Sequence, residues 1–191
     1  MTAEELERLP EDHQRHELVN GVLTTMPPNS GIHGLTAASF GAELGKYIES
    51  HQLGDGMIGT GFILRRNPDT VRAADISFIS KERLDRLERF NGYPPYAPDL
   101  AVDIIDPWEL YMDVMDKVAD WLEAGTRMVL VIDPWSRTVR VHRSPTSVMW
   151  MTEADQIDGA DVVPGWTLPV RMLFEQHAAS TSERNLKHAA Y

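Results

Sequence analysis

The chain has 191 residues, with 29 acidic side chains against 18 basic, a formal charge of −11, and no cysteine. One domain able to bury a sizeable core is expected at this length, and disulfides, thiolate metal sites, Fe–S clusters and a cysteine nucleophile are excluded. No apolar run approaches the roughly 20 residues of a membrane span, and a strongly acidic chain does not hold polyanions through its bulk field.

Residues 2–10 predict a short helix, with Thr2 as N-cap, Glu5 three places on as in a capping box, and Pro10 as its stop. The acidic, polar opening MTAEELERLPEDHQ is unlike a secretory or transit signal, so a cytoplasmic protein is expected. RHELVNGVLTTMPP (15–28) reads as two short strands joined at Asn20-Gly21, the strongest short hairpin signal. Ser30 to Glu49 predicts a helix with Leu35, Ala38, Phe40, Leu44, Tyr47 and Ile48 on its apolar face. Gly54 to Gly61 reads as a glycine-rich turn region before a strand at Phe62 to Arg66. Asn67-Pro68-Asp69 is a turn, and VRAADISFIS (71–80) a strand.

Residues 81–90 read as a helix. Its basic residues alternate with Glu82, Asp85 and Glu88, so a solvated, salt-bridged face explains them better than a nucleic-acid surface. PDLAVDII (98–105) reads as a buried strand, and WELYMDVMDKVADWLEAG (108–125) as the clearest helix, closed by Gly125. MVLVIDP (128–134), TVRVHR (138–143) and residues 146–152 read as strands. DVVPGWTLPVRMLF (161–174) reads as a short strand, a turn and an amphipathic piece. One mixed α/β domain over 1–178, with an N-terminal β-hairpin and a polar tail at 179–191, is the expectation.

The chemistry-bearing residues stand out against this pattern. Alternation in 98–105 groups Asp99, Ala101, Asp103 and Ile105 on one face, with Leu100, Val102 and Ile104 on the other. An acid in a buried strand is costly unless it is paired or binds a cation. Asp75 poses the same question among Ala73, Ala74, Ile76, Phe78 and Ile79. A single such acid reads best as solvated; two on separate strands point to a site. On the long helix, Lys117 falls in the apolar stripe of Leu110, Val114, Val118 and Trp121, away from Asp113, Asp116, Asp120 and Glu123. Alone it would read as a snorkelling side chain; beside two inward acids, a shared cluster explains it better. Glu17 is a third carboxylate, and serves equally well as the partner of Arg15 or of a neighbouring strand in a surface ion pair. Carboxylates on separate strands with one lysine are the parts of metal-assisted phosphodiester hydrolysis with Mg²⁺ or Mn²⁺.

These stretches resemble the Uma-type family of putative restriction endonucleases, within the PD-(D/E)XK nuclease superfamily. RHELVNG, His33, VRAAD, PDLAVDIIDP, the lysine helix ending WLEAG, MVLVIDP, TVRVHR and DVVPGWTLP carry the likeness by their order and spacing. The resemblance implies a restriction-endonuclease-like fold, a mixed sheet core flanked by helices, with divalent metal, a DNA substrate and often a homodimer. Carried over residue by residue, it makes Asp75 and Asp103 the metal-site acids and Lys117 the catalytic lysine. It matches Glu17 to the glutamate of an R-x-E-L motif, and assigns the main-chain carbonyl of Ile104 as a further metal ligand. Three departures stand out: Ala74 for the usual proline, Asp103 for the commoner glutamate, and Asp106 for a common serine. The shorter Asp103 withdraws its carboxylate by roughly 1.5 Å. A non-catalytic nuclease-fold binding or structural module is therefore the alternative expectation.

Other readings are weaker. The seven histidines show no zinc spacing, and His33 is expected to pack. No phosphate-loop or dinucleotide fingerprint is present. Asp106 reads as a turn residue before Pro107, and Trp108, Trp121, Trp135, Trp150 and Trp166 as packing groups before base-stacking ones.

Overall fold

A computed structural model describes residues 1–10, 12–86 and 92–175. In α1 (Ala3–Glu7) the Thr2 hydroxyl accepts the Glu5 N–H and the Glu5 carboxylate accepts the Thr2 N–H, the reciprocal capping box. β1 (Arg15–Val19) and β2 (Val22–Met26) form the expected hairpin, with Asn20 and Gly21 at φ of 51° and 78°. α2 (Gly31–His51) starts at Ser30, whose hydroxyl accepts the His33 N–H. It buries His33, Thr36, Phe40, Leu44 and Ile48, one row at helical spacing. Leu35 and Ala38, expected on that face, point to solvent because this row, not theirs, lies along the sheet.

The glycine-rich stretch 54–61 is not a turn. It is the first part of a strand, β3 (Gly54–Arg65), paired antiparallel along β4 (Thr70–Ser80). The glycines permit close approach: a Cβ on Gly54, at φ 151°, would lie 2.0 Å from the Ile79 carbonyl oxygen, and one on Gly61 2.7 Å from the Tyr93 ring. The helix expected over 81–90 is the four-residue α3 (Lys81–Leu84) within the described residues, and 87–91 lie outside them. At its end the Arg83 carbonyl accepts the Arg86 N–H at 3.2 Å and the Tyr96 hydroxyl at 2.8 Å. Arg83 itself turns inward to the Ala97 carbonyl and Asp99, while Arg86 keeps the expected surface pair with Glu82.

β5 (Leu100–Ile104), α4 (Tyr111–Glu123) and β6 (Met128–Asp133) form a parallel crossover, followed by the meander β7 (Thr138–Ser144) and β8 (Ser147–Met151). α4 starts three residues later than expected, which leaves Leu110 as an exposed N-cap rather than part of the stripe. Gly125 follows its end at φ 96°. Residues 161–163 are a turn, not a strand: the Val162 and Val163 N–H groups donate to the Gly159 carbonyl, closing a loop that buries both valines. A small hairpin of β9 (Gln156–Asp158) and β10 (Thr167–Pro169) flanks that loop, and a 3-10 turn Val170–Leu173 ends the described fold. The polar tail expected at 179–191 lies outside the described residues.

The main sheet has eight strands in the order β2-β1-β4-β5-β6-β7-β8, with β3 on β4. α2 and the C-terminal segments cover one face through Phe40, Leu44, Val163, Trp166 and Phe174. α4 covers the other through Val114, Val118 and Trp121 over Ala101, Val129 and Val131. The expected mixed α/β sheet flanked by helices is thus the observed architecture. Among the described residues no helix is long and apolar enough to cross a membrane.

Candidate active site

The site forms where two strands part. β4 and β5 pair at Phe78–Leu100, Ser77–Ala101 and Ile76–Val102. Asp75 and Asp103 come next on their strands, where the recorded pairing has stopped. There the Asp75 carboxylate fills the gap, its Oδ2 accepting the Ile104 N–H at 2.8 Å. Its Oδ1 lies 3.0 Å from Arg15 Nη2 and 3.2 Å from His33 Nε2.

Asp103 points to the α4 side of the sheet, as strand alternation requires. Its Oδ1 is 2.7 Å from Lys117 Nζ and its Oδ2 accepts the Trp121 Nε1–H at 3.0 Å. Lys117 does not snorkel. Its ammonium donates to the Ala73 carbonyl at 2.7 Å and lies 3.2 Å from Glu17 Oε1. Glu17 in turn accepts the Ala73 N–H at 3.0 Å and Arg72 Nη1–H at 2.9 Å, so it is a buried hub and not half of a surface pair. Arg72 is neutralised from its other side by Asp120, 2.7 Å from Nη2. Glu17 and Asp103 thus flank one ammonium, and Asp75 is held separately by Arg15, His33 and the Ile104 N–H. All four residues singled out in the sequence line a single cleft of about 460 Å³ with Arg15, His33, Ile104 and Asp106.

The charges in this cleft set one another. Burial alone would raise Asp75, but the His33 hydrogen bond and the Lys117 charge outweigh it and hold the carboxyl at about 2. Glu17 is likewise lowered, burial being outweighed by Lys117 and Arg72. Asp103 goes the other way: burial pushes it up, the Asp75 charge adds to the push, and Lys117 offsets only part. Lys117 resists burial through Asp103, Glu17 and Asp75, which hold its ammonium well above the usual lysine range. In this setting the side chain is held as an ammonium.

Other residues of the site were expected in plainer roles. His33, expected to pack, is buried between two acids, with Nε2 on Asp75 and Nδ1 3.2 Å from Asp106 Oδ2. Asp106, expected as a turn residue, is buried, faces His33 and accepts the Ser30 N–H at 3.3 Å, while its Oδ1 has no hydrogen-bond partner. Glu109 accepts the Asp106 N–H. A histidine just inside a helix and an aspartate before a proline are ordinary caps and turns locally; only the approach of α2 to the end of β5 gives them a shared role.

The oxygens that could take a cation are those of Asp75 and Asp103, and Ile104 lines the same cleft. Among the described residues no group of three or more His, Asp or Glu side chains is placed to hold an ion. The set is sparse but all hard oxygen, which suits an ion that takes one or two carboxylates and keeps its waters.

A mixed sheet carrying acids on two parting strands, with a buried lysine above them, defines a nuclease-like fold. The chain belongs to the Uma2 family, described as "Putative restriction endonuclease", whose model matches residues 3–171. The chain is similar in structure to a solved protein from Anabaena variabilis described as a putative nuclease belonging to DUF820. That likeness has a TM-score of 0.79 and 22% sequence identity, and it covers 91% of this chain and 97% of the other. No curated protein matches the chain.

Proposed function

We propose that the protein is a metal-dependent endonuclease that hydrolyses phosphodiester bonds in DNA. Family membership and the nuclease-like neighbour support the reaction class. The observation that carries the reading is the Lys117 ammonium, shared by Asp103, Glu17 and the Ala73 carbonyl in the cleft that Asp75 lines. Asp75, Asp103 and the Ile104 carbonyl would hold Mg²⁺ or Mn²⁺, which supplies Lewis-acid polarisation of the phosphate and a more acidic bound water.

The chain's own residues do the rest. Lys117 offsets charge developing on the phosphate oxygens, and orients the attacking water by donation once its longer contact, 3.2 Å to Glu17, is given up. Glu17 acts through Lys117, fixing its position from the side away from Asp103. His33 and Arg15 fix the Asp75 carboxylate against rotation. A cytoplasmic homodimer is the working form we assign to it.

A second reading, a non-catalytic module of the same fold, is favoured by one observation: the carboxylate oxygens of both Asp75 and Asp103 already face protein donors or cations. Nicking of supercoiled plasmid with Mn²⁺ decides between them. Wild type should nick, and Lys117→Ala and Asp75→Asn should not. Cutting that survives either substitution removes the site assignment, and no cutting of DNA or RNA by wild type establishes the second reading.

A further inference from the structure

Outside the cleft, among the described residues, one arginine is buried without a counter-charge. Arg140, on β7, is 5% exposed, and no carboxylate of the described residues lies within ion-pair distance of it. Its neighbours are two rings, with the guanidinium carbon 5.4 Å from the Tyr111 centroid and 5.2 Å from that of Trp150. Both rings are largely open to solvent, at 60% and 65% exposed. Ring faces stabilise a cation but leave its N–H fork available, and a planar fork matches a phosphate.

Strand register ties this group to the site. Asp103 pairs with Val131, Val131 with Arg140, and Arg140 with Trp150. Partners across a sheet share a face, so Arg140 lies on the Asp103 side, roughly 10 Å away at two strand spacings. Tyr111 opens α4, the helix whose Asp113, Asp116 and Lys117 line the cleft, and half-exposed Trp108 lines the cleft itself. Aromatic rings and a guanidinium thus follow one another from the cleft, past the start of α4, to the edge strand β8.

Resting on the nuclease reading above, we infer that Trp108, Tyr111, Arg140 and Trp150 form a track for unpaired nucleotides flanking the cut. Arg140 takes a backbone phosphate, and the rings stack on bases whatever their identity. A second copy of the chain fits this surface less well. A two-fold contact centred on the patch would bring two Arg140 side chains together with no anion between them.

The test is binding of fluorescein-labelled oligothymidylate, read by anisotropy in EDTA, so that no cutting is required. Trp150→Ala and Arg140→Gln should each weaken binding about tenfold. Arg140→Gln should also lower the slope of log affinity against log salt by about 0.7, and Arg140→Lys should restore that slope. Unchanged affinity in both variants, or no binding by wild type, overturns the track. Unchanged affinity with loss of a dimer in Trp150→Ala, read by sedimentation, also overturns it and gives the surface to a second copy. Plasmid nicking run in parallel separates the two claims: a wild type that binds through these residues yet never nicks keeps the track and loses the nuclease.

Discussion

Lys117 Nζ lies 2.7 Å from Asp103 Oδ1, the lysine on α4 and the aspartate on β5 beneath it. Asp103 is buried and Lys117 half-buried; the ammonium favours the charge on Asp103 and on Glu17, and both carboxylates favour the ammonium. Removing one member of such a set leaves the others charged in a poor dielectric. Lys117→Ala should therefore cost about 3–5 kcal/mol of stability in urea unfolding, beyond any loss of cutting. A change under about 1 kcal/mol would mean the acids are solvated enough to stand alone.

The acid limb of the stability curve should carry the mark of Asp75. Its folded value of about 2 lies below the ordinary 3.8, so as pH falls the unfolded chain takes up the proton first. The contribution is full above about 3.8 and drains towards about 2. Glu17, also lowered, acts in the same direction. Asp103, raised by burial, acts in the opposite one, its part being present at low pH and lost as pH rises. Unfolding midpoints from about pH 6 to about pH 3 should fall more steeply for wild type than for Asp75→Asn. Parallel curves would assign the acid limb to other groups.

A cation that binds the folded chain alone should raise its melting temperature. At a hundredfold excess over its Kd, Mn²⁺ would add roughly 5–10 °C for a domain of this size. Asp75→Asn should abolish the rise. An equal rise in the variant would place the ion elsewhere.

Trp121 is fully buried, edge-on to Phe62, and its indole N–H goes to Asp103. Trp121→Phe keeps a ring but takes away that donor, and should cost about 1–3 kcal/mol. Combining it with Asp103→Asn tests the link. If the two losses simply add, the N–H and the carboxylate do not interact energetically.

Much of this site was legible because two periodicities disagreed with composition. Asp103 sits at an inward position of a strand otherwise apolar, and Lys117 in a stripe that Val114, Val118 and Trp121 define. What could not be read depended on approach in space. His33 and Asp106 meet only because α2 begins beside the end of β5. The glycines of β3 look like a turn until the crowding by Ile79 and Tyr93 is seen. Arg83 looks like surface charge until the Ala97 carbonyl, Asp99 and the Tyr96 ring are seen around it. Each signal was local in residue type and distant in cause.

The hydrogen bond from Ile104 N–H to Asp75 gives the aspartate a second occupation. Its oxygen stands in for the neighbouring strand's carbonyl, so this side chain is masonry whatever its part in the proposed chemistry. A descendant that gave up cutting would still need an acceptor at position 75, or leave a main-chain N–H stranded. An oxygen-bearing residue there is thus a poor witness to activity among relatives. Positions 103 and 117, which face each other at 2.7 Å, are where loss of the proposed chemistry would first be written.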